Sequence, residues 1–259
     1  MRLMIAIVLM GASGMAKAVD HQIWDRLLDR HVTWARDGHA SVVNYEGFRK
    51  DRGKLDDYLN QLSSVDDSDY EAWSDHRQLA FLINAYNAFT VELILRHYPD
   101  IDSIRDIGGF FSGPWDKDFF RLLGERRTLD ELEHDMIRVW FEEPRIHFAV
   151  NCASVGCPAL RPEAFTGDGL ERQLEESTKR FLGDRQRNHV EADEGAVHLS
   201  PIFKWYDEDF QDGNVRGYLA ARATVLADTE KQKQLLREGD FNISYTEYDW
   251  ELNVRDNLR

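Results

Sequence analysis

Two segments near the start of the chain carry apolar residues at helical spacing. They cover 21–36 and 45–62. In each, apolar side chains recur three or four positions apart, which is the period of an amphipathic helix. The pattern predicts two helices on the outside of the fold.

The stretch from Leu79 to Tyr98 is apolar on nearly every side rather than along one stripe, and Pro99 stops it. A helix that is hydrophobic all round is buried. This pattern therefore predicts the central helix of the fold.

The pattern in the rest of the chain predicts short strands and further helices. Thr128 and Glu131 form a capping-box pattern, which predicts a helix from there to about Phe141. The other predicted elements are strands over 118–123, 145–150, 189–191, 196–199 and 241–248, a turn over 124–127, and helices over 168–184 and 215–227. Several helices with a small, mostly antiparallel sheet indicate the α+β class. Because no repeat or long linker interrupts residues 19–259, we expect one domain there.

The first eighteen residues have the pattern of a secretory signal. Arg2 precedes an apolar run from Leu3 to Met10, and Ala16-Lys-Ala18 matches a cleavage site. The run is too short to span a bilayer comfortably. We therefore expect cleavage after Ala18, a periplasmic or secreted product and no stable membrane insertion afterwards. The alternative at this point is a short N-terminal membrane anchor.

The composition excludes several classes of function. The chain has 259 residues, 42% of them hydrophobic, which is enough for a sizeable core. Its 32 basic and 47 acidic residues give a net charge of -15, and loss of Arg2 and Lys17 with the signal would lower it by two more. Such a charge repels nucleic acid and an anionic membrane surface, so we predict no nucleic-acid partner. The expected partner is an unknown small-molecule or peptide ligand. The sequence lacks a complete phosphate-binding glycine loop and a G-x-S-x-G elbow, and we predict no cofactor.

Two interpretations are possible for Cys152 and Cys157, the only two cysteines of the sequence. After export both would meet an oxidising compartment, and the four intervening residues, with Gly156 among them, allow a disulfide. Alternatively, Cys152 is a thiolate nucleophile and His147 lowers its pKa and returns a proton. Compartment chemistry favours the disulfide.

Four more polar residues are site candidates. Glu133 and His134 could supply a base and its orienter, or metal ligands together with His147 and Cys152. Since no H-E-x-x-H, C-x-x-C or H-x-H pattern occurs, we predict no metal. Asn84 and Asn87 lie on one side of the central helix. They could orient a histidine or hold a substrate carbonyl, or they could tie loop backbone to the core.

Two aromatic clusters, 203–206 and 245–250, would form a carbohydrate or peptide platform if they are exposed. The alternative is that they belong to the core.

Four motifs in this order resemble the domain of unknown function 547 (DUF547) family. They are Phe81-Leu-Ile-Asn-Ala-Tyr-Asn-Ala88, Leu129-Asp-Glu-Leu-Glu-His134, His147-Phe-Ala-Val-Asn-Cys-Ala-Ser154 with Cys157-Pro-Ala-Leu160, and Tyr248-Asp-Trp-Glu-Leu-Asn253. The resemblance extends over 45–253.

The resemblance implies no substrate, because the family is named for its lack of an assigned function. Its pattern maps onto Asn84, Asn87, Glu133, His134 and His147. In some relatives another small residue replaces the second cysteine, which leaves Cys152 as the better single nucleophile candidate.

Two hypotheses follow for an exported protein. In the first, Cys152 attacks an acyl or amide bond as a hydrolase or acyltransferase, His147 or His134 acts as base and then acid, and Asn84 or Asn87 orients the histidine or the carbonyl. In the second, the protein is a non-catalytic binding or interaction module in which Cys152 and Cys157 are cross-linked. A third hypothesis is a metal-dependent hydrolase. It requires at least three of the donors Glu133, His134, His147 and Cys152 to lie close together.

Overall fold

The computed structural model describes residues 19–109 and 113–258, so the predicted signal peptide lies outside the described residues. About half of the chain is helical and 12% is strand, which confirms the α+β class. Within these described ranges, three of the four strand pairs are antiparallel.

The N-terminal part combines four helices with a two-stranded hairpin. These elements are α1 (Gln22–His31), β1 (Val32–Ala35), β2 (Ala40–Val43), α2 (Tyr45–Lys50), α3 (Arg52–Ser63) and α4 (Asp67–Glu71). The helix predicted over 21–36 ends five residues early, because the β-branched Val32 and Thr33 pair with β2. The helix predicted over 45–62 is two helices that meet at Asp51, whose carboxylate accepts hydrogen bonds from Arg30 and Lys54.

Helix α5 (Asp75–Leu95) is the central helix that the sequence predicts. Every residue from Leu79 to Leu95 is buried. The helix is long and apolar enough to cross a membrane, but 94% of its apolar window is buried inside the protein. Its hydrophobic surface therefore packs against the protein itself.

A hairpin and a wide helix follow. Strands β3 (Phe120–Leu122) and β4 (Glu125–Arg127) pair antiparallel. Thr128 Oγ1 accepts from the Glu131 amide, and Glu131 accepts from the Thr128 amide, so the predicted capping box is present. The helix that it opens is π-helical over Glu131–Ile137 and ends as α6 (Arg138–Trp140).

The strand predicted over 145–150 is wrong, because Pro144–Phe148 form a 3-10 helix. Pro144 starts this turn with a φ that suits a helix, and the Glu143 carboxylate accepts from the Arg145 amide. The apolar residues of this segment are buried, but they do not pair with a strand.

The C-terminal part contains α7 (Leu170–Gly183), β5 (His189–Glu191), β6 (Ala196–Leu199), α8 (Ile202–Trp205), α9 (Val215–Ala221), α10 (Ala223–Leu226), α11 (Glu230–Glu238) and β7 (Asn242–Tyr245). Strand β6 lies in the centre of a three-stranded sheet, antiparallel to β5 and parallel to β7. The helix predicted over 215–227 is interrupted at Arg222, and α11 was not predicted.

The apolar interior has two clusters. The larger surrounds α5 and the N-terminal helices. The smaller is rich in aromatic rings, including Phe148, Phe181, Phe203 and Phe210. The chain passes from one cluster to the other at Phe148 and Ala149, immediately before the two cysteines.

Asn84 and Asn87 attach two loops to α5. Asn84 donates to the Phe165 carbonyl at 2.8 Å and accepts from the Phe165 amide at 2.9 Å. Asn87 donates to the Ala149 carbonyl at 3.0 Å and accepts from the Asn151 amide at 2.8 Å. These are the contacts expected if the two amides tie loop backbone to the core.

We expect Asn87→Ala to lower the free energy of unfolding by about 2 kcal/mol or more, because it leaves a buried carbonyl and a buried amide without partners. Urea unfolding would measure this loss. Thr90→Val on the same helix is the matched control, since the Thr90 hydroxyl is buried and has no hydrogen-bond partner among the described residues. The control should leave stability unchanged or raise it. Equal stability of Asn87→Ala and the wild type would contradict the anchoring role.

Candidate functional site

A cavity of about 200 Å³ lies where the two apolar clusters meet. Helix α5 contributes Tyr86 to its wall, and the π-helix contributes Glu133 and His134. The other lining residues described are Trp115, Asp130, His147, Val150, Cys152, Cys157, Pro158, Ile202, Trp205, Tyr206, Tyr248 and Trp250. Four of the six predicted site residues thus line one cavity, whereas Asn84 and Asn87 do not.

The loop 151–158 forms one wall of the cavity. Asn151 donates to the Pro158 carbonyl at 2.7 Å and accepts from the Ala153 amide at 3.0 Å. The Val155 and Gly156 amides donate to the carbonyls of residues 251 and 249 at 2.8 Å. The C-terminal segment therefore fixes the outer side of this loop.

Cys152 and Cys157 form a disulfide across the loop, with their Cα atoms 6.0 Å apart. The Tyr248 hydroxyl lies 3.2 Å from the Cys152 sulfur and 3.3 Å from the Cys157 sulfur. Burial, as the largest cause, raises the pKa of Tyr248 to about 12. In this state Cys152 has no thiol, and a protonated phenol covers the disulfide.

His147 is buried against the cavity and is held from two sides. Its Nε2 lies 2.6 Å from an Asp209 carboxylate oxygen. Its ring stacks on Tyr206 with the centroids 4.0 Å apart. Its Nδ1 has no hydrogen-bond partner among the described residues.

Arg138 connects the two histidines of the cavity. It donates to both Asp209 carboxylate oxygens, at 2.6 and 3.0 Å, and its guanidinium lies 2.8 Å from His134 Nδ1. Burial alone would raise the pKa of Asp209, but its hydrogen bonds and Coulombic interactions with His147 and Arg138 bring that pKa well below its ordinary value. Asp209 is therefore ionised at neutral pH and positions both residues.

Glu133 is a buried carboxylate on the cavity wall, with 7% of the residue exposed. It forms no salt bridge with any described residue. Burial first, and then the negative charge of Glu133, raises the pKa of the Tyr86 and Tyr206 phenols well above its usual range. Both phenols stay protonated and can donate hydrogen bonds toward negative charge.

Three tryptophans and Tyr248 form the aromatic rim of the cavity. Trp205 and Trp250 stack with their centroids 5.8 Å apart, Tyr248 contacts Trp250 at 4.5 Å, and Trp115 contacts Trp250 at 5.9 Å. Trp205 is 46% exposed. The two predicted aromatic clusters are therefore shared between the core and the cavity. Phe203 lies in the core, whereas the cavity is lined by Trp205, Tyr206, Tyr248 and Trp250.

Sequence reasoning missed Asp209, Arg138, Tyr86 and Trp115. Asp209 lies in an acidic triplet, 207–209, directly after an aromatic cluster, but a charged triplet is typical of a solvated surface turn. The one sequence signal for Arg138 is its position one helical turn after His134, which allows the two side chains to meet. No spacing rule links either residue to His147.

The candidate metal ligands Glu133, His134, His147 and Cys152 do not form a group of three donors within 4.8 Å of one another. Among the described residues, the group of three histidine, cysteine or acidic donors within 4.8 Å of one another lies elsewhere, at His189, Glu191 and His198.

A family model described as protein of unknown function, DUF547, matches residues 70–182. The matched segment is thus assigned to the DUF547 family. It contains α5, the capped π-helix and the cysteine loop, while Tyr206, Asp209, Tyr248 and Trp250 lie outside it. No curated protein and no solved structure matches the chain.

We expect iodoacetamide to label neither cysteine before reduction and both after reduction and unfolding, because the sulfurs are bonded to each other. Intact mass would count the labels. Cys157→Ser is the matched control and should accept one label on Cys152 without reductant. Labelling of the unreduced wild type would show that the thiols are free.

We expect Asp209→Asn to reduce the free energy of unfolding at pH 7 by about 1 to 3 kcal/mol, because it loses charge-assisted hydrogen bonds. A carboxyl whose folded pKa is lowered stabilises the fold above its unfolded pKa of about 4, and this stabilisation is lost as the pH falls toward the folded pKa. The deficit of the variant should therefore shrink between pH 5 and pH 3 in urea unfolding, at about those values. Glu208→Gln, on the exposed neighbour, should show no such change, and a pH-independent deficit would contradict the assignment.

Proposed function

We propose that this protein is an exported, non-catalytic binding module that holds a small organic cation in the aromatic cavity. The observation that carries the proposal is the buried Glu133 carboxylate, which lies among aromatic rings and has no basic partner among the described residues. Export rests on the signal pattern of residues 1–18.

The charge of the cavity favours a cation. Its described lining includes the carboxylates of Glu133 and Asp130 but neither lysine nor arginine. A buried carboxylate is costly unless it is hydrogen-bonded and paired with a positive charge. The Tyr86 and Tyr206 phenols hydrogen-bond Glu133, and a positively charged ligand would supply a salt-bridge partner inside the cavity. An anionic ligand would add a second negative charge beside Glu133.

The aromatic walls favour an organic cation over a hydrated inorganic one. Six of the described lining residues are tryptophan or tyrosine. The faces of such rings attract alkylammonium groups, and aromatic cages recognise quaternary ammonium ions in this way. The volume of about 200 Å³ is below the usual range of about 300 to 1,000 Å³ for ligand pockets, which restricts the cavity to a small ligand.

The disulfide has a structural role in this proposal. It closes the loop 151–158, so that both sulfurs become part of the wall that Tyr248 covers. A preformed wall reduces the ordering cost of binding.

Calorimetric titration of the unreduced protein with choline and with its uncharged isostere, 3,3-dimethylbutan-1-ol, tests the proposal. We expect choline to bind at least about tenfold more tightly, because only the cation gains from Glu133 and the ring faces. Glu133→Gln should remove this preference, whereas Asp135→Asn, on the exposed side of the same helix, should retain it. Equal affinity for both compounds, or binding of neither, would overturn the proposal.

A second candidate function, a thiol-dependent hydrolase or acyltransferase, is favoured by the His147–Asp209 contact. Asp209 orients His147 and leaves Nδ1 without a partner on a cavity that Cys152 also lines. After reduction by an external thiol, Cys152 would attack an acyl carbonyl, and His147 would take the thiol proton and return it to the leaving group.

Hydrolysis of p-nitrophenyl acetate, measured with and without prior reduction, tests this second candidate. We expect hydrolysis only after the protein has been reduced. Cys152→Ser should lose this activity, and Cys157→Ser should retain it. Turnover that Cys152→Ser retains would exclude Cys152 as the nucleophile.

A further inference from the structure

The hairpin of β5 and β6 places three metal-type donors on one face, away from the aromatic cavity. His189 and His198 are directly opposed across the two strands. Glu191 is two residues from His189 and therefore points to the same side of the sheet. The ligand atoms of the three side chains all lie within 4.8 Å of one another.

The two imidazoles converge on the same carboxylate. Their rings stack with the centroids 4.5 Å apart and an interplanar angle of 11°. Glu191 oxygens lie 3.9 Å from His189 Nε2 and 3.4 Å from His198 Nε2. These separations are too long for strong hydrogen bonds and leave the carboxylate between two ring nitrogens.

A neighbouring strand orients His198. Ser244 on β7 places its hydroxyl 2.7 Å from His198 Nδ1. When Nδ1 donates this hydrogen bond, the lone pair of Nε2 faces the Glu191 carboxylate. Two electron-rich groups then oppose each other, and a cation between them would relieve the repulsion.

Two ring nitrogens at this place also have no satisfied hydrogen bond. His198 Nε2 and His189 Nδ1 are both shielded from solvent and have no hydrogen-bond partner among the described residues. Buried polar atoms of this kind call for an explanation by an ion or a water molecule. His198 Nε2 is both unpartnered and 3.4 Å from Glu191, and an imidazole nitrogen with a free lone pair beside a carboxylate is a donor suited to a metal ion.

We propose that His189, Glu191 and His198 form a binding site for a divalent transition-metal ion, with Zn²⁺ as the reference ion. Two imidazoles and one carboxylate are a donor set that suits Zn²⁺ and leaves a fourth position for water or another ligand. Ser244 positions His198 through the ring nitrogen that does not face Glu191, as outer-shell partners of metal-bound histidines do. Since these residues do not line the aromatic cavity, this site is independent of the proposed function.

The site would also join the strands of the sheet. His189 and Glu191 belong to β5, and His198 belongs to β6. A bound ion would cross-link these two strands, and Ser244 would extend the contact to β7. Metal binding to the folded protein should therefore raise its melting temperature.

Titration of the full exported protein with ZnCl2, followed by calorimetry and by thermal unfolding, tests the site. We expect one Zn²⁺ per chain at this site and a higher melting temperature with zinc. His189→Ala and His198→Ala should each weaken binding by about tenfold or more and abolish the thermal shift. Ser244→Ala should weaken binding by a smaller factor, because it removes only the orienting contact.

Two matched variants exclude other zinc sites. His76 lies 3.8 Å from Glu171 on the surface, and among the described residues this pair belongs to no group of three metal-type donors, so His76→Ala should bind zinc as the wild type does. His134→Ala tests the aromatic cavity and should also bind zinc normally.

Unchanged zinc affinity in His189→Ala and His198→Ala would overturn the proposal, as would loss of the bound ion in His134→Ala. Circular dichroism of each variant without metal separates loss of a ligand from loss of the fold. Choline binding by the two hairpin variants should remain at the wild-type level, which keeps this test distinct from that of the cavity.

Discussion

The hydrogen bonds between α5 and the loop that precedes the cysteines are the contacts on which the candidate site depends. Asn87 lies in the part of α5 in which every residue is buried, and it holds both the Ala149 carbonyl and the Asn151 amide. Asn151 then bonds across its own loop to Pro158. Because a buried backbone group without a partner is costly, these contacts fix where the loop begins and ends. The disulfide adds a covalent link to a loop that the helix already positions.

Charge is distributed unequally between the surface and the interior. The chain is strongly acidic, and most of its carboxylates lie on the surface, where water and basic neighbours stabilise them. Asp209 is partly buried but paired with Arg138 and His147. Glu133 differs from both cases, because it is buried without a basic partner among the described residues. This imbalance, rather than the total charge, is the basis on which we propose a cationic ligand.

The candidate catalytic and binding functions use the same cavity but different oxidation states of one residue pair. With Cys152 bonded to Cys157, the wall is closed and the histidines serve as oriented polar groups. With the disulfide reduced, a thiol would share the cavity with an oriented imidazole. The export that we propose would place the protein in an oxidising compartment, which favours the first state. The hairpin donors His189, Glu191 and His198 depend on neither state.

The elements with local signals could be predicted from the sequence. The all-round apolar pattern of α5, the capping box at Thr128 and the strands over 189–191 and 196–199 are present as predicted. The sequence also singled out Glu133, His134, His147 and the cysteine pair, because their residue types carry recognisable chemistry. The 3-10 turn after Pro144 escaped prediction, since a short apolar run has no period that distinguishes strand from turn.

Tertiary structure alone decided which of these residues meet. His147 and Asp209 are 62 positions apart, and Tyr248 is 96 positions from Cys152. No local pattern encodes such contacts, because they arise when two apolar clusters pack and their edges form a cavity. The same packing directed Asn84 and Asn87 to loop backbone instead of the cavity. The sequence thus determined the chemistry available to this protein, while long-range packing determined which groups share a site.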